Sequence, residues 1–150
     1  MSSRALVCLI CLGLVASAGC RNQDPAGAAA LWDEVHAADY RSWERAPGYP
    51  ARAPSSVHGR EMDIFVNDVI SEALAAGEPL AAWPEGALIV KDGYDKGALT
   101  LLAIMEKRED GWFWAEYQED GEVEESGSPR NCIKCHDAGD DYVRAFKLPM

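Results

Sequence analysis

Cys132-Ile133-Lys134-Cys135-His136, with only fourteen residues after it, constrains this 150-residue chain more than any other stretch. Two thiols one helical turn apart can add to the two vinyl groups of one porphyrin while the adjacent histidine swings under the ring to ligate iron. The pentapeptide is thus the attachment sequence of a c-type haem, and the fold that accepts it must be built almost entirely upstream. Cys-x-x-Cys also occurs in redox dithiols and in halves of zinc sites, but no second Cys pair stands in the folded region. A tetrahedral zinc would have to borrow His58 or His36, and His136 sits too close to Cys135 to be an easy third ligand. Compartment favours haem, because haem c is attached after export.

The N-terminus supplies that compartment. Residues 1–20 carry one charge, Arg4, followed by an apolar run from Ala5 to Ala16. Such a run is a secretory signal and falls well short of the ~20 residues that span a bilayer as a helix. Ser17-Ala18-Gly19-Cys20 resembles a bacterial lipobox that would make Cys20 a lipid anchor, although Ser17 stands where Leu is preferred. Ala16-Ser17-Ala18 also fits an ordinary cleavage site, which would leave Cys20 as an exposed thiol in an oxidising compartment. The lipoprotein reading avoids that liability and is favoured. It places the protein on the periplasmic side of a bacterial envelope, with residues 21–30 as a tether and 31–150 as one domain.

Losing Arg4 takes the net charge from −11 to −12, with acidic residues gathered in 106–110, 116–125 and 137–141. This surface argues against nucleic acid and anionic membrane as partners. It suits either a solvated exterior or a patch for a basic redox partner protein.

Apolar spacing predicts a helix over Ala28–Trp43, begun by Asp24-Pro25 and stopped before Pro47-Gly48-Tyr49-Pro50, with His36 at its surface or packed. Met62–Val66 reads as a strand, and Asp68–Ala76 as a helix ended by Gly77. Strands follow over Ala87–Lys91, Ala98–Lys107 and Trp112–Gln118, with Asp110-Gly111 and Asp120-Gly121 as turns. Alternation puts Trp112, Trp114 and Glu116 on one face and Phe113, Ala115 and Tyr117 on the other. Gly127-Ser128-Pro129 closes the sheet, and the haem motif opens a last helix reaching about Phe146. The fold class is therefore α+β, predominantly an antiparallel sheet with flanking helices and a C-terminal haem-binding helix.

Small electron-transfer cytochromes carry the motif near the N-terminus and a Met ligand downstream, where this chain has only Met150. Four-helix cytochromes c′ carry it near the C-terminus, but the strand-like period of Ala98–Glu125 excludes them. The order of motifs resembles the cytochrome P-460 family, including the cytochromes c′-β. It runs through His58-Gly59, Phe65-Val66-Asn67, Pro84-Glu85-Gly86, Ile89-Val90-Lys91, Trp112-Phe113-Trp114 with Tyr117, Asp120-Gly121, Ser126-Gly127 and the haem motif.

The resemblance implies one covalent haem c per chain on Cys132 and Cys135, His136 as the proximal iron ligand, and a homodimer formed through the sheet. It also implies one of two activities. In the cytochromes c′-β a five-coordinate iron binds nitric oxide or related gases beneath an apolar cap. In the enzymes a lysine cross-links to the porphyrin and hydroxylamine is oxidised. Lys91 matches that lysine and shares a strand face with Ile89 and Ala87. Phe65, Trp83 and Phe113 are candidates for the cap, and His58, Met62, Met105 and Met150 for a sixth ligand, which would instead make an electron carrier.

Overall fold

The structure, a computed structural model, describes residues 23–150. The expected signal and Cys20 lie outside the described residues. Among the described residues three helices, α1 (Pro25–Ala37), α2 (Asp68–Ala76) and α3 (Arg130–His136), flank seven strands. The strands are β1 (Glu44–Arg45), β2 (Ala53–Pro54), β3 (Glu61–Val66), β4 (Leu88–Asp95), β5 (Ala98–Arg108), β6 (Gly111–Gln118) and β7 (Val123–Gly127). They form one antiparallel sheet in the order β1-β3-β4-β5-β6-β7, with β2 also pairing to β3. The chain is thus α+β and mainly β, as its sequence patterning predicts.

Alternation along the strands gives the sheet two inward faces. Phe65, Val90, Leu102, Ile104, Phe113, Ala115 and Tyr117 pack against Ala28, Leu31 and Val35 of α1. Met62, Ile64, Val66, Ile89, Met105, Trp112 and Trp114 face the other way, beneath Ile70 of α2 and beneath Trp83, Val143 and Phe146. Burying both faces accounts for strands that carry apolar bulk at odd and even positions alike.

Two helices end earlier than the sequence predicts. The first begins at Pro25, inside the expected tether, where the Asp24 side chain accepts from Gly27 N. It stops at Ala37 instead of running to Trp43, because Asp39 takes a left-handed φ of 47° and a single 3₁₀ turn, Tyr40–Ser42, follows. That break turns Tyr40 inward, where its hydroxyl donates to buried Asp92 at 2.7 Å. The last helix ends at His136 rather than near Phe146. Asp141 and Tyr142 both have positive φ, 46° and 66°, a conformation no right-handed helix can continue through.

Candidate haem site

α3 brings Cys132, Cys135 and His136 to the edge of a cavity of about 750 Å³ on the sheet face away from α1. That volume falls within the ~300–1,000 Å³ usual for cofactor pockets. Met62, Ile64, Ile89, Met105 and Trp114 supply an apolar floor, and Val143 and Ala145 close the wall behind α3. Cys132 is half-buried and Cys135 exposed, both as free thiols. Burial, with Glu116 and Glu125 nearby, pushes the Cys132 thiol up to about 11. Among the described residues no three His, Cys, Asp or Glu side chains converge as a metal cage.

His136 Nδ1 lies 2.9 Å from the Tyr142 carbonyl oxygen, so Nδ1 carries the proton and Nε2 keeps its lone pair. Trp114 meets the imidazole edge-on, ring centroids 4.7 Å apart. Burial lowers the pKa of His136, against the Tyr142 hydrogen bond, and Arg144 and Lys91 lower it further. A neutral imidazole with one nitrogen held by a carbonyl is the form that ligates metal. Two thiols one turn apart, this histidine and the apolar cavity together fit a haem.

Strand register assembles the polar side of the cavity. Ile64, Lys91, Ala103, Glu116 and Glu125 pair in turn across β3 to β7, and Lys91 and Glu116 line the cavity with Ala103 between them. Lys91 points inward, as its shared face with Ile89 predicts, and donates from Nζ to the Val57 carbonyl at 3.3 Å. Burial lowers the pKa of its ammonium, partly offset by Glu116. Burial raises that of the Glu116 carboxyl, reinforced by Glu124 and Glu125 and opposed by Lys91.

His58 completes this group from a tight turn with φ of 60°, followed by Gly59 at 94°. The turn crosses directly over β4, and a Cβ at Gly93 would strike the His58 carbonyl, so only glycine permits the approach. Burial, with Lys91 and His136 adding to it, lowers the imidazole to about 4. At neutral pH its 3.6 Å approach to Glu116 is therefore a contact between neutral ring and carboxylate, not an ion pair. The buried Nδ1 has no partner among the described residues.

Other candidates fall elsewhere. Phe65 and Phe113 belong to the α1 face and cannot cap the cavity, because each sits one residue out of phase with its cavity-lining neighbours. Trp83 is buried against Phe146, centroids 5.3 Å apart, outside the cavity lining. Met150 is 98% exposed, whereas Met62 and Met105 are packed into the floor. His36 stacks on Trp32 in α1. Arg144, not singled out from the sequence, also lines the cavity and sets Nη1 3.2 Å from Cys135 Sγ.

The fold and site define a haem-binding domain built on an antiparallel sheet rather than on a helical bundle. The family model described as Cytochrome P460 matches residues 37–144, most of the chain, and the protein belongs to that family of haem proteins. No curated protein matches the chain.

Proposed function

We propose that this is an exported haem c protein that binds small nitrogen-oxide ligands, nitric oxide and hydroxylamine, at a haem iron with an open coordination position. The carrying observation is that the cavity lined by Cys132, Cys135 and His136 has an apolar floor of Ile64, Ile89 and Met105 and also holds the polar group Lys91, His58 and Glu116. Cys132 and Cys135 would form the thioethers and His136 would offer Nε2 to the iron. Haem bound there supplies a position for a small ligand and one-electron redox chemistry. The residues around it do the selecting: an apolar floor favours small neutral ligands, and Met62 and Met105 are engaged in packing. The lipid anchor at Cys20, the periplasmic location, the homodimer and the basic redox partner belong to this same reading.

Inward-pointing Lys91 supports a second reading, a hydroxylamine-oxidising enzyme in which Lys91 is bonded to the porphyrin. Burial favours the neutral, nucleophilic amine, and Glu116, which lines the same cavity, would accept protons from a bound substrate.

Absorption spectra of the purified protein, oxidised and then reduced with and without nitric oxide, test both. High-spin iron that takes up nitric oxide supports the first reading. A red-shifted reduced Soret band with haem on a Lys91-containing peptide selects the second, and six-coordinate low-spin iron overturns both in favour of an electron carrier.

A further inference from the structure

Behind α3, outside the cavity, the loop carrying Asp141 and Tyr142 is held in an unusual way. Asp141 and Tyr142 are consecutive non-glycine residues at φ of 46° and 66°. Left-handed backbone is unfavourable for any residue with a Cβ and persists only where the surroundings over-determine it. Here Lys107 Nζ donates to both Asp141 carboxylate oxygens, at 2.9 and 2.8 Å, with both side chains largely buried. Trp83 N donates to Asp141 Oδ2 at 2.8 Å, and the Trp112 indole donates to the Asp141 carbonyl at 2.8 Å. The next carbonyl along, that of Tyr142, is the one that receives His136 Nδ1–H.

We propose that Lys107 and Asp141 are positioning residues of the haem site: anchored to the sheet, they hold the Tyr142 carbonyl against His136 and so fix which ring nitrogen the histidine offers and how basic it is. Neither touches the cavity. The proposal rests on His136 as the proximal ligand. A hydrogen bond on Nδ1–H makes the opposite nitrogen a stronger donor, which favours ferric over ferrous iron.

Loosening the anchor therefore raises the midpoint potential. Spectroelectrochemistry on the haem-loaded protein measures it for Lys107→Met and Asp141→Asn, with Lys147→Met as control, since Lys147 pairs with Asp140 on the exposed surface. Both anchor variants are expected to favour the reduced form by about tenfold, or 59 mV for one electron. Both should also lower the iron–histidine stretching frequency in resonance Raman spectra. Lys107→Arg, which keeps the charge and its two-point contact, is expected to restore the parent values. If the pair acted through charge alone, Lys107→Met would lower the potential while Asp141→Asn raised it, and that outcome overturns the proposal, as do shifts no larger than the control's. Should Lys107→Met fail to fold, Trp112→Phe removes one anchor donor and carries the same expected rise. An unchanged spectrum in His136→Ala would instead defeat the ligand assignment, leaving the two failures distinguishable.

Discussion

Lys91 and Asp92 are chain neighbours, yet they lie on opposite faces of β4 in opposite electrostatic circumstances. Asp92, fully buried on the α1 side, accepts from the Tyr40 hydroxyl at 2.7 Å, Arg41 Nε at 2.8 Å and the Tyr94 hydroxyl at 3.2 Å. On the cavity side, among the described residues, Lys91 reaches a single carbonyl, His58 leaves Nδ1 unpartnered, and Glu116 stands beside an uncharged imidazole. A buried polar group that is fully bonded fixes a fold, whereas one left short of partners marks where a ligand completes the shell. One face of the sheet is finished by the protein's own hydrogen bonds, and the cavity face is not.

The sharpest break of this contrast is to remove the thiols. Replacing Cys132 and Cys135 by alanine is expected to abolish haem staining on denaturing gels while far-ultraviolet circular dichroism keeps the β signal, because the α1 face needs no cofactor. Asp92→Ala strikes the finished face, stranding the Tyr40 hydroxyl and Arg41, and should cost about 3 kcal/mol in urea unfolding. Arg41 is half-exposed and can rehydrate, which keeps the loss at the low end for a broken buried pair.

Acid separates the faces further. Because His58 is held near 4 against an ordinary 6.5, the unfolded chain takes up a proton that the folded chain refuses between those values. Stability should therefore fall as pH drops from 6.5 toward 4, by up to ~3 kcal/mol more in the parent than in His58→Gln, read from paired thermal melts. Asp24→Ala removes the cap of α1 and should cost about 1 kcal/mol without altering any haem spectrum. Smallest in stability is Lys91→Met, expected within ~1 kcal/mol of the parent because burial already disfavours the ammonium, while any haem-linked peptide at this position disappears.

Much of this was readable from local pattern. Turn glycines and β-branched runs placed β4 to β6, though not β7, and alternation along Trp112–Gln118 assigned the two faces correctly, Glu116 included. Register was not readable, and it is register that sets Glu116 two strands from Lys91 across Ala103. Phe65 and Phe113 looked like cap residues because aromaticity says nothing about side, and one residue of phase moved both to the far face. Helix ends failed for a related reason: Asp39, Asp141 and Tyr142 are left-handed without being glycine, and the long-range bonds of Tyr40 next to Asp39 and of Asp141 itself are ones no local signal announces.

The last strand ends at Gly127, and the first residue proposed to hold haem is Cys132. Synthesis runs from the N-terminus, so every strand has been made before either thiol exists. The cavity is in this sense built in two instalments: its floor comes from strands already made, and Cys132, His136, Val143, Arg144 and Ala145 of its lining all come from the segment that follows them.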